Sequence, residues 1–405
     1  MVDVMRGIRV VEVADYIFVP AAAGLLADWG ADVIKVEHHL HGDLMRGLTT
    51  HHPGQPAVPA FHPGMEAANR RKRSMGLNLA SAAGREVLYA LVKSADVFLT
   101  SKLAPTRQKL KFDVDDLRAV NPALIYVRGT GHGAKGEEAN AGGFDALDFW
   151  YRTGIAMGAK AREVDAPPFM PSGAFGDNTG GMYIAGGISA ALLHRERTGQ
   201  ALTVDVSLLA AGMWSLSTGI ALSGLYGTPV QQRPVESSLG PMVTTYKTSD
   251  DRFIAMNCLQ GHRYFPDLCR VLGLAGLADD PRFASAGEFG RNGEDVRALL
   301  TSAFGKLTFK EAIGLLADFS GQWGPVQASD QVAADRQVIA NHLLGEMTTS
   351  TGHTMTAVRP PVQFDESPAD LGRSPQFNEH CEEILAELGY DPEGIIDLKV
   401  KGAVF

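Results

Sequence analysis

The order of apolar and polar residues over the first 130 positions predicts alternating strands and helices. Predicted strands are Ile8–Val13, Asp32–Glu37, Asp96–Leu99 and Leu124–Val127, and predicted helices are Pro20–Trp29, Gly84–Ser94 and Asp115–Ala119. Strand, helix and strand at this spacing are typical of parallel α/β units. The fold class is therefore predicted to be α/β, with a doubly wound, Rossmann-like sheet in a large domain.

A long helix is predicted from 178 to 198, directly after a carboxylate set among glycines. Asp177 lies within the segment Gly173–Met182 and is a favoured residue type for a helix N-cap. One interpretation is a helix cap followed by a tight helix–helix contact. The other is a site that a ligand approaches closely, because glycines lack the Cβ that would block it.

The remaining pattern predicts a strand at Leu202–Val206, an apolar helix at Leu208–Leu225 and a linker at Gly227–Pro241. A hairpin (244–247 and 253–256) and several amphipathic helices then indicate a smaller α+β domain. The pattern of residue types changes again from Pro325. A helix at His380–Leu388 is expected to pack back on the first sheet. The predicted large domain comprises residues 1–226 and 325–405, and the small domain with its linkers comprises residues 227–324.

Composition narrows the partners and the compartment. The chain has 405 residues, 45% hydrophobic and 20% charged, and a net charge of −9 that favours neither nucleic acid nor an anionic membrane as partner. Its three cysteines lack CxxC spacing, and neither a signal peptide nor an apolar run of about 18 residues is evident. We therefore expect a cytoplasmic protein with buried thiols.

Two polar segments could bind an anion. His38 and Arg46 follow a predicted strand, where ligands of open α/β sheets bind. The cations Arg71, Lys72 and Arg73 belong to a run that is either a solvated charged surface or a phosphate site.

The sequence lacks the motifs of several common kinds of catalytic and cofactor site. The glycines of Arg128–Gly136 do not follow GxGxxG, which argues against NAD, and His132 is expected to be a hydrogen-bonding loop residue. Neither HExxH nor CxxC predicts a metal, and no GxSxG elbow is present. The remaining candidate chemistry is a carboxylate that acts as a nucleophile. The aromatic patch of Phe144, Phe149, Trp150 and Tyr151 is either core or a site for a bulky acyl group.

Taken in order, the motifs resemble the class III CoA-transferase family, which includes formyl-CoA transferase, carnitine CoA-transferase and α-methylacyl-CoA racemase. The segments that carry the resemblance are residues 7–37, Gly42–Asp43 with Arg46, NRRKRSMGLNL (69–79), FGDNTGGM (175–182), HRERTGQ (194–200) and FNEHCEEILAELGYDPEGI (377–395). The resemblance covers nearly the whole chain and implies a large domain built from both chain ends. It also implies an interlocked homodimer.

The resemblance further implies a reaction and a site. Asp177 would attack an acyl-CoA thioester and pass through an aspartyl-CoA thioester, from which a carboxylic acid takes the CoA. Gly180 and Gly181 are expected to offer N–H groups to developing negative charge. CoA, a substrate, would contact residues of the first strand end and nearby cations, with the aromatic segment beside them: Tyr16, Ile17, His38, Arg71, Lys72, Arg73, Lys109, Phe144 and Asp145.

The chain also departs from the family pattern. Thr100–Pro105 replaces a usual Glu-Asn-Phe-Arg-Pro-Gly segment, His38 stands where many relatives have arginine, and Gly240 is the nearest candidate for a glycine-rich lid. Racemases of the family carry a histidine where this chain has Phe144, which cannot exchange a proton. The pattern therefore favours transfer over racemisation unless His132 reaches the site. A protein that binds CoA esters without turnover is the other alternative.

Overall fold

The computed structural model describes residues 3–48, 61–161, 163–231 and 240–405, which form two compact units. The larger unit contains the described residues of Met1–Lys160, Ala166–Val230 and Arg336–Phe405, so it is assembled from both ends of the chain. The smaller unit contains those of Ala161–Asp165 and Gln231–Asp335. The second boundary lies at Arg336 instead of residue 325.

Eleven strands are present in the described residues, arranged in three sheets. They are β1 (Arg9–Val13), β2 (Asp32–His38), β3 (Arg73–Leu77), β4 (Val97–Thr100), β5 (Ile125–Thr130), β6 (Thr203–Ser207), β7 (Val243–Lys247), β8 (Phe253–Asn257), β9 (Trp323–Val326), β10 (Leu344–Thr348) and β11 (Thr354–Val358). The first six form one parallel sheet in the order β3-β2-β1-β4-β5-β6. This order confirms the predicted doubly wound, Rossmann-like sheet.

The helices that the sequence predicted are present among the described residues, together with others that it did not predict. They are α1 (Phe18–Asp28), α2 (Pro63–Asn69), α3 (Ala82–Lys93), α4 (Ala104–Lys109), α5 (Val114–Arg118), α6 (Ile155–Gly158), α7 (Phe175–Thr198), α8 (Leu208–Ser215), α9 (Ser217–Tyr226), α10 (Gly261–Val271), α11 (Ala286–Arg291), α12 (Gly293–Phe304), α13 (Phe309–Leu316), α14 (Arg336–Ala340), α15 (Cys381–Glu387) and α16 (Pro392–Val400). A π-helix spans Ala146–Tyr151, and 3-10 turns span Leu44–Gly47, Ala275–Leu277, Pro281–Phe283 and Val332–Ala334.

The parallel sheet is buried on both faces, because successive side chains of a strand point to opposite sides. Val10 and Val127 pack with α1 and α7 on one face. Val11 and Tyr126 pack on the other face with α3, α15 and α16. The near-continuous apolar runs that predicted these strands are explained by this double burial.

The carboxyl ends of the strands form one edge of the sheet, at which α1 and α7 both begin. The strand order reverses between β1 and β4, and ligands of open α/β sheets bind at such a point. The loops that leave these two strands are joined there: the Asp15 N–H donates to the Ser101 hydroxyl at 3.2 Å, and Lys102 forms an ion pair with Asp15.

The carboxyl-terminal segment returns to the sheet, as predicted. Helix α15 contacts β3, Val404 forms an antiparallel bridge with Leu77, and the Asn78 N–H donates to the Ala403 carbonyl at 2.8 Å. The hairpin of β10 and β11 precedes this return.

The smaller unit has an antiparallel sheet in the order β7-β8-β9 and the helices α10 to α13 around its own core. Strand β9 pairs with β8, so that Pro325 lies opposite Ile254. This pairing explains why the residues just after 324 belong to the smaller unit.

The predicted helix at 208–225 is divided at Leu216 into α8 and α9. Within the described ranges, no single helix is long and apolar enough to cross a membrane, and α8 with α9 meets those criteria only as a pair bent by 71°. Their exposed apolar side chains include Trp214, Leu225 and Tyr226, which are 70%, 73% and 69% exposed.

Candidate active site

Asp177 lies in the first turn of α7, as its third residue. The helix begins at Phe175, and its N-cap is Ala174, which has a left-handed backbone with φ of 65°. The expectation that Asp177 is the N-cap is therefore wrong by three positions. Because α7 precedes β6 and runs antiparallel to it, this first turn lies at the carboxyl edge of the sheet. The positive end of a 24-residue helix thus points toward the Asp177 carboxylate.

The glycines after Asp177 allow α7 to pack closely on α1. A Cβ on Gly180 would lie 2.5 Å from Cε2 of Phe18, and one on Gly181 would lie 3.0 Å from Cβ of Ala21. Both glycines are inside the helix, where their N–H groups bond to the preceding turn. The expectation that they stabilise negative charge is therefore not met, and the helix–helix contact accounts for them.

Asp145 supplies the cap that Ala174 lacks. Its Oδ2 accepts a hydrogen bond from the Gly176 N–H at 3.2 Å, and its Oδ1 accepts one from Ala146 at 2.8 Å. A Cβ on Gly176 would lie 2.9 Å from Cβ of Asp145 and 2.6 Å from Cγ of Phe149, so only glycine fits there. Asp145 and the start of α7 are thus in direct contact.

Burial and this neighbouring carboxylate change the acidity of Asp177. Burial, followed by the negative charge of Asp145, raises the pKa of Asp177 to about 7. Among the described residues, the Asp177 carboxylate accepts no hydrogen bond that would oppose this shift. Burial also raises the pKa of Asp145, against which its backbone N–H donors act. Asp177 is therefore a partly desolvated carboxylate, which is more basic than an ordinary aspartate.

Tyr16 and Phe144 form an aromatic edge next to Asp145. Their rings meet edge to face at a centroid distance of 5.5 Å, and 36% of Tyr16 and 55% of Phe144 remain exposed. Phe149 and Trp150 are instead buried beneath the start of α7, where both contact the ring of Phe175. The predicted aromatic patch is thus divided between an exposed edge and core.

A buried network of charges holds the loop that carries Tyr16. Lys35 bonds to Glu12 at 2.7 Å, to Asp43 at 2.8 Å and to the Ala14 carbonyl at 2.9 Å. Asp43 in turn accepts a hydrogen bond from the Tyr16 N–H at 3.2 Å. Tyr16 has a φ of 65°, a conformation that costs energy for a bulky residue and persists where its surroundings fix it. Ile17, the next residue, is the N-cap position of α1.

This role of Lys35 was not predicted, although its place inside an apolar strand was a signal. A lysine there has to be paired. Burial alone would lower the pKa of Lys35, but Glu12 and Asp43 together hold it above its ordinary value.

His38 lies at the end of β2, at the same edge of the sheet. Its ring stacks on His41 at 4.9 Å and contacts His39 at 4.8 Å. Burial, followed by these neighbouring imidazoles, lowers the pKa of His38. Lys109 is exposed in the last turn of α4, the helix that follows β4. In the described part of the chain, no group of three or more His, Cys, Asp or Glu side chains could hold a metal ion.

The predicted phosphate-binding cations require correction. The Lys72 ammonium is fully buried and donates to Glu12, Asn69 and the Pro20 carbonyl at 2.6, 2.9 and 2.8 Å, so it has no donor left for a phosphate. Arg73 is the first residue of β3, at the amino edge of the sheet, and pairs with Asp32 and Glu387.

Arg71 lies on the same side and donates to the Asp370 carbonyl at 3.3 Å. Arg46 makes two bonds to Glu37, at 2.7 and 2.8 Å. Because their partners are structural carboxylates or the returning carboxyl-terminal segment, these cations hold the fold together.

A second polar pair, which the sequence analysis missed, lies beside the aromatic edge. Asp148 is 1% exposed, and its Oδ1 lies 2.6 Å from Nδ1 of His132. Arg152 contacts the same imidazole nitrogen at 3.2 Å and forms an ion pair with Glu138. The available signal was an aspartate three residues after Asp145, within an otherwise apolar turn.

Comparisons with known proteins identify what this chain is similar to. A family model described as CoA-transferase family III matches residues 5–381. The (R)-2-hydroxy-4-methylpentanoate CoA-transferase of Clostridioides difficile is 29% identical over 98% of this chain and 98% of its own length. The cinnamoyl-CoA:phenyllactate CoA-transferase of Clostridium sporogenes is 30% identical over 98% of this chain and 96% of its own.

A solved structure has a fold similar to that of this chain. A CAIB/BAIF family protein from Brucella suis superposes with a TM-score of 0.78 at 29% identity, covering 95% of this chain and 99% of that chain.

Proposed function

This chain belongs to CoA-transferase family III and is a CoA-transferase, and we propose that it works through a covalent thioester on Asp177. The observation that carries the proposal is the position of Asp177: a half-buried carboxylate in the first turn of α7, at the ligand-binding edge of the sheet. Tyr16, Phe144 and Asp145, which were predicted to share its site, are linked to it through a chain of contacts.

The proposed reaction conserves the thioester at each step. The Asp177 carboxylate attacks the carbonyl carbon of the donor thioester, and CoA leaves as the thiolate, which yields a mixed anhydride. The thiolate attacks the aspartyl carbonyl carbon of the anhydride, and the donor acid departs as its carboxylate. The acceptor carboxylate then reverses both steps and leaves as a CoA ester.

The raised pKa suits this chemistry. A carboxylate that burial has made more basic is a stronger nucleophile than an exposed aspartate. The positive end of α7 opposes the loss of charge, so that a substantial fraction stays ionised near neutral pH.

For CoA, we propose a narrower set of contacts than the sequence predicted. Tyr16 and Ile17 belong to the loop at the point where the strand order reverses. The remaining polar candidates are His38, as a hydrogen-bonding imidazole at the end of β2, and Lys109, as a cation on the helix that follows β4. Phe144, next to Asp145, is the aromatic candidate. Lys72 and Arg73 are excluded from the set because of their structural bonds, and Arg71 because it precedes β3, at the amino edge of the sheet.

For the acid, we propose a 2-hydroxy acid with an apolar chain. Two relatives are named for such acids, a 2-hydroxy-4-methylpentanoate and a phenyllactate. The exposed face of Phe144 offers an apolar surface of suitable kind beside Asp145, which caps the helix of the proposed nucleophile.

We also propose that the chain acts as a homodimer, as its resemblance implies. The proposal is supported by the apolar groove along α8 and α9, lined by Ala210, Met213, Trp214, Ser217, Ile220 and Ala221. Sedimentation equilibrium should give twice the chain mass for the wild type and a smaller mass for Trp214→Glu, whereas a monomeric wild type would refute the dimer.

Covalent trapping tests the central proposal. The purified enzyme is incubated with 2-hydroxy-4-methylpentanoyl-CoA and then treated with borohydride or hydroxylamine, and its peptides are analysed by mass spectrometry. We expect the modification on the peptide that contains Asp177, and its loss in Asp177→Asn. Glu196→Gln, at the exposed far end of the same helix, is the matched control and should be trapped like the wild type.

Two outcomes would contradict the mechanism. Full exchange activity in Asp177→Asn would remove the nucleophile from the proposal. Deuterium uptake at carbon 2 without CoA transfer would identify a racemase instead.

A further inference from the structure

His132 and Asp148 form an oriented pair outside the nucleophile's own contacts. Asp148 is buried, and a Cβ on Gly143 or Gly131 would lie 2.1 or 2.8 Å from its Oδ2. Because both positions are glycine, this carboxylate can lie directly against the backbone. Among the described residues, the imidazole of His132 faces this carboxylate, with Nδ1 2.6 Å from Oδ1.

The geometry fixes which nitrogen of the imidazole is engaged. Nδ1 of His132 lies 2.6 Å from Oδ1 of Asp148 and 3.2 Å from Nη1 of Arg152, so both side chains face this nitrogen. The other ring nitrogen, Nε2, is then directed away from the pair, on a side chain that keeps 13% exposure. A histidine held by a buried carboxylate in this way is oriented to bond a third group.

The pair is connected along two paths to the residues that surround the proposed nucleophile. Asp148 follows Asp145, the cap of the nucleophile's helix, by three residues in the same helical segment. Gly143, against which Asp148 rests, precedes Phe144 of the aromatic edge. His132 follows β5, at the same edge of the sheet as Tyr16.

Charge balance decides which kind of substituent this site would accept. One cation, Arg152, and the imidazole of His132 face two carboxylates, Asp148 and Glu138, through the contacts described above. No net positive charge remains to offset a second carboxylate of a substrate. A neutral group that both donates and accepts a hydrogen bond, such as a hydroxyl, suits an imidazole Nε2 in either protonation state.

We propose that His132, held by Asp148, binds the hydroxyl at carbon 2 of the acid and so selects 2-hydroxy acids over their deoxy counterparts. The inference rests on the proposed transferase function and adds a specificity-determining residue to it. Asp148 is a positioning residue that acts through His132.

The test compares two acids that differ by this hydroxyl. Exchange of isotopically labelled acid with its own CoA thioester is measured for 2-hydroxy-4-methylpentanoate and for 4-methylpentanoate, with succinate and succinyl-CoA as a third arm. The variants are His132→Phe, Asp148→Asn and both together. Lys135→Gln, exposed in the same loop, is the matched control.

We expect His132→Phe to lower kcat/KM for the hydroxy acid about tenfold, the size of one lost hydrogen bond, with the deoxy acid changed less than about twofold. Asp148→Asn should lower the same selectivity ratio in the wild-type background and leave it unchanged in the His132→Phe background. Retained exchange of the deoxy acid shows that the variants fold.

Other results would overturn the inference. An equal loss with both acids would mean that the pair serves the fold or the chemistry. A loss confined to succinate would identify a carboxylate site. If neither the wild type nor any variant exchanges an acid or traps Asp177, the transferase mechanism fails first, and that result is distinct from an unchanged selectivity ratio.

Discussion

Replacing Gly180 with alanine tests whether the glycines after Asp177 serve packing or supply N–H groups. Alanine keeps the N–H but adds a methyl group 2.5 Å from the ring of Phe18, which is 7% exposed in the core. Because the obstacle is a packed ring and not the free end of a flexible side chain, α1 and α7 have to separate. We therefore expect the variant to be less stable.

The matched control is Gly186→Ala in the same helix. Gly186 is exposed, and an added Cβ there would meet nothing within 4 Å. Both substitutions gain the same helix propensity of about 1 kcal/mol, so their difference isolates the steric cost. For overpacking in a core, this cost is about 1–3 kcal/mol. Gly186→Ala should thus be slightly stabilised and Gly180→Ala should fall below it by that amount.

Urea unfolding followed by circular dichroism measures both variants, and their exchange activity is assayed at a concentration of urea below the transition. Equal unfolding midpoints would refute the packing argument. A Gly180→Ala enzyme of normal stability but reduced kcat would indicate that this part of the helix acts in the reaction after all.

Two further predictions concern charge. In the proposed mechanism Asp177 reacts as the carboxylate, and its pKa is raised to about 7, so kcat/KM should increase with pH and level off above that value. Asp145→Asn removes the neighbouring charge, so the midpoint should move to lower pH, and an unmoved profile would contradict the assignment. Lys72→Met should cost about 3–5 kcal/mol of unfolding free energy, because it breaks a buried ion pair, but leave KM for an acyl-CoA unchanged. Lys109→Met should do the opposite, raising KM without a measurable loss of stability, and a raised KM in Lys72→Met would restore that lysine to the CoA site.

The parallel sheet could be predicted from the sequence because its strands are buried on both faces. Apolar runs such as those around Val11 and Ile34 leave little ambiguity, and β1, β2, β4 and β5 lie within one to three residues of their predicted limits. Helix α7 was also predicted, but its start was not. Asp177 is a typical N-cap residue, whereas the cap is provided by Asp145 from 31 residues away, and a pattern of local residues contains no signal for that bond.

The cations show a second limit of prediction from the sequence. Arg71, Lys72 and Arg73 read as a phosphate site because their partners are distant in the chain. Arg73 pairs with Glu387, which is 314 residues later, and Lys72 with Glu12, which is 60 residues earlier. The pair of His132 and Asp148 was missed for the same reason, since 15 residues separate its members. The local residue pattern identifies helices and strands, but the partner of a charged side chain depends on tertiary contacts.

The bridge between Leu77 and Val404 has a consequence for synthesis of the protein. Strand β3 is an outer strand of the parallel sheet, and on that side Leu77 is bridged by Val404, which lies far along the chain. This side of the sheet therefore stays uncovered on the ribosome until the residues around Val404 have been synthesised and have left the exit tunnel. Contacts of such long sequence separation form slowly. We expect the nascent chain to depend on chaperones during this interval, since its unpaired edge can join another strand.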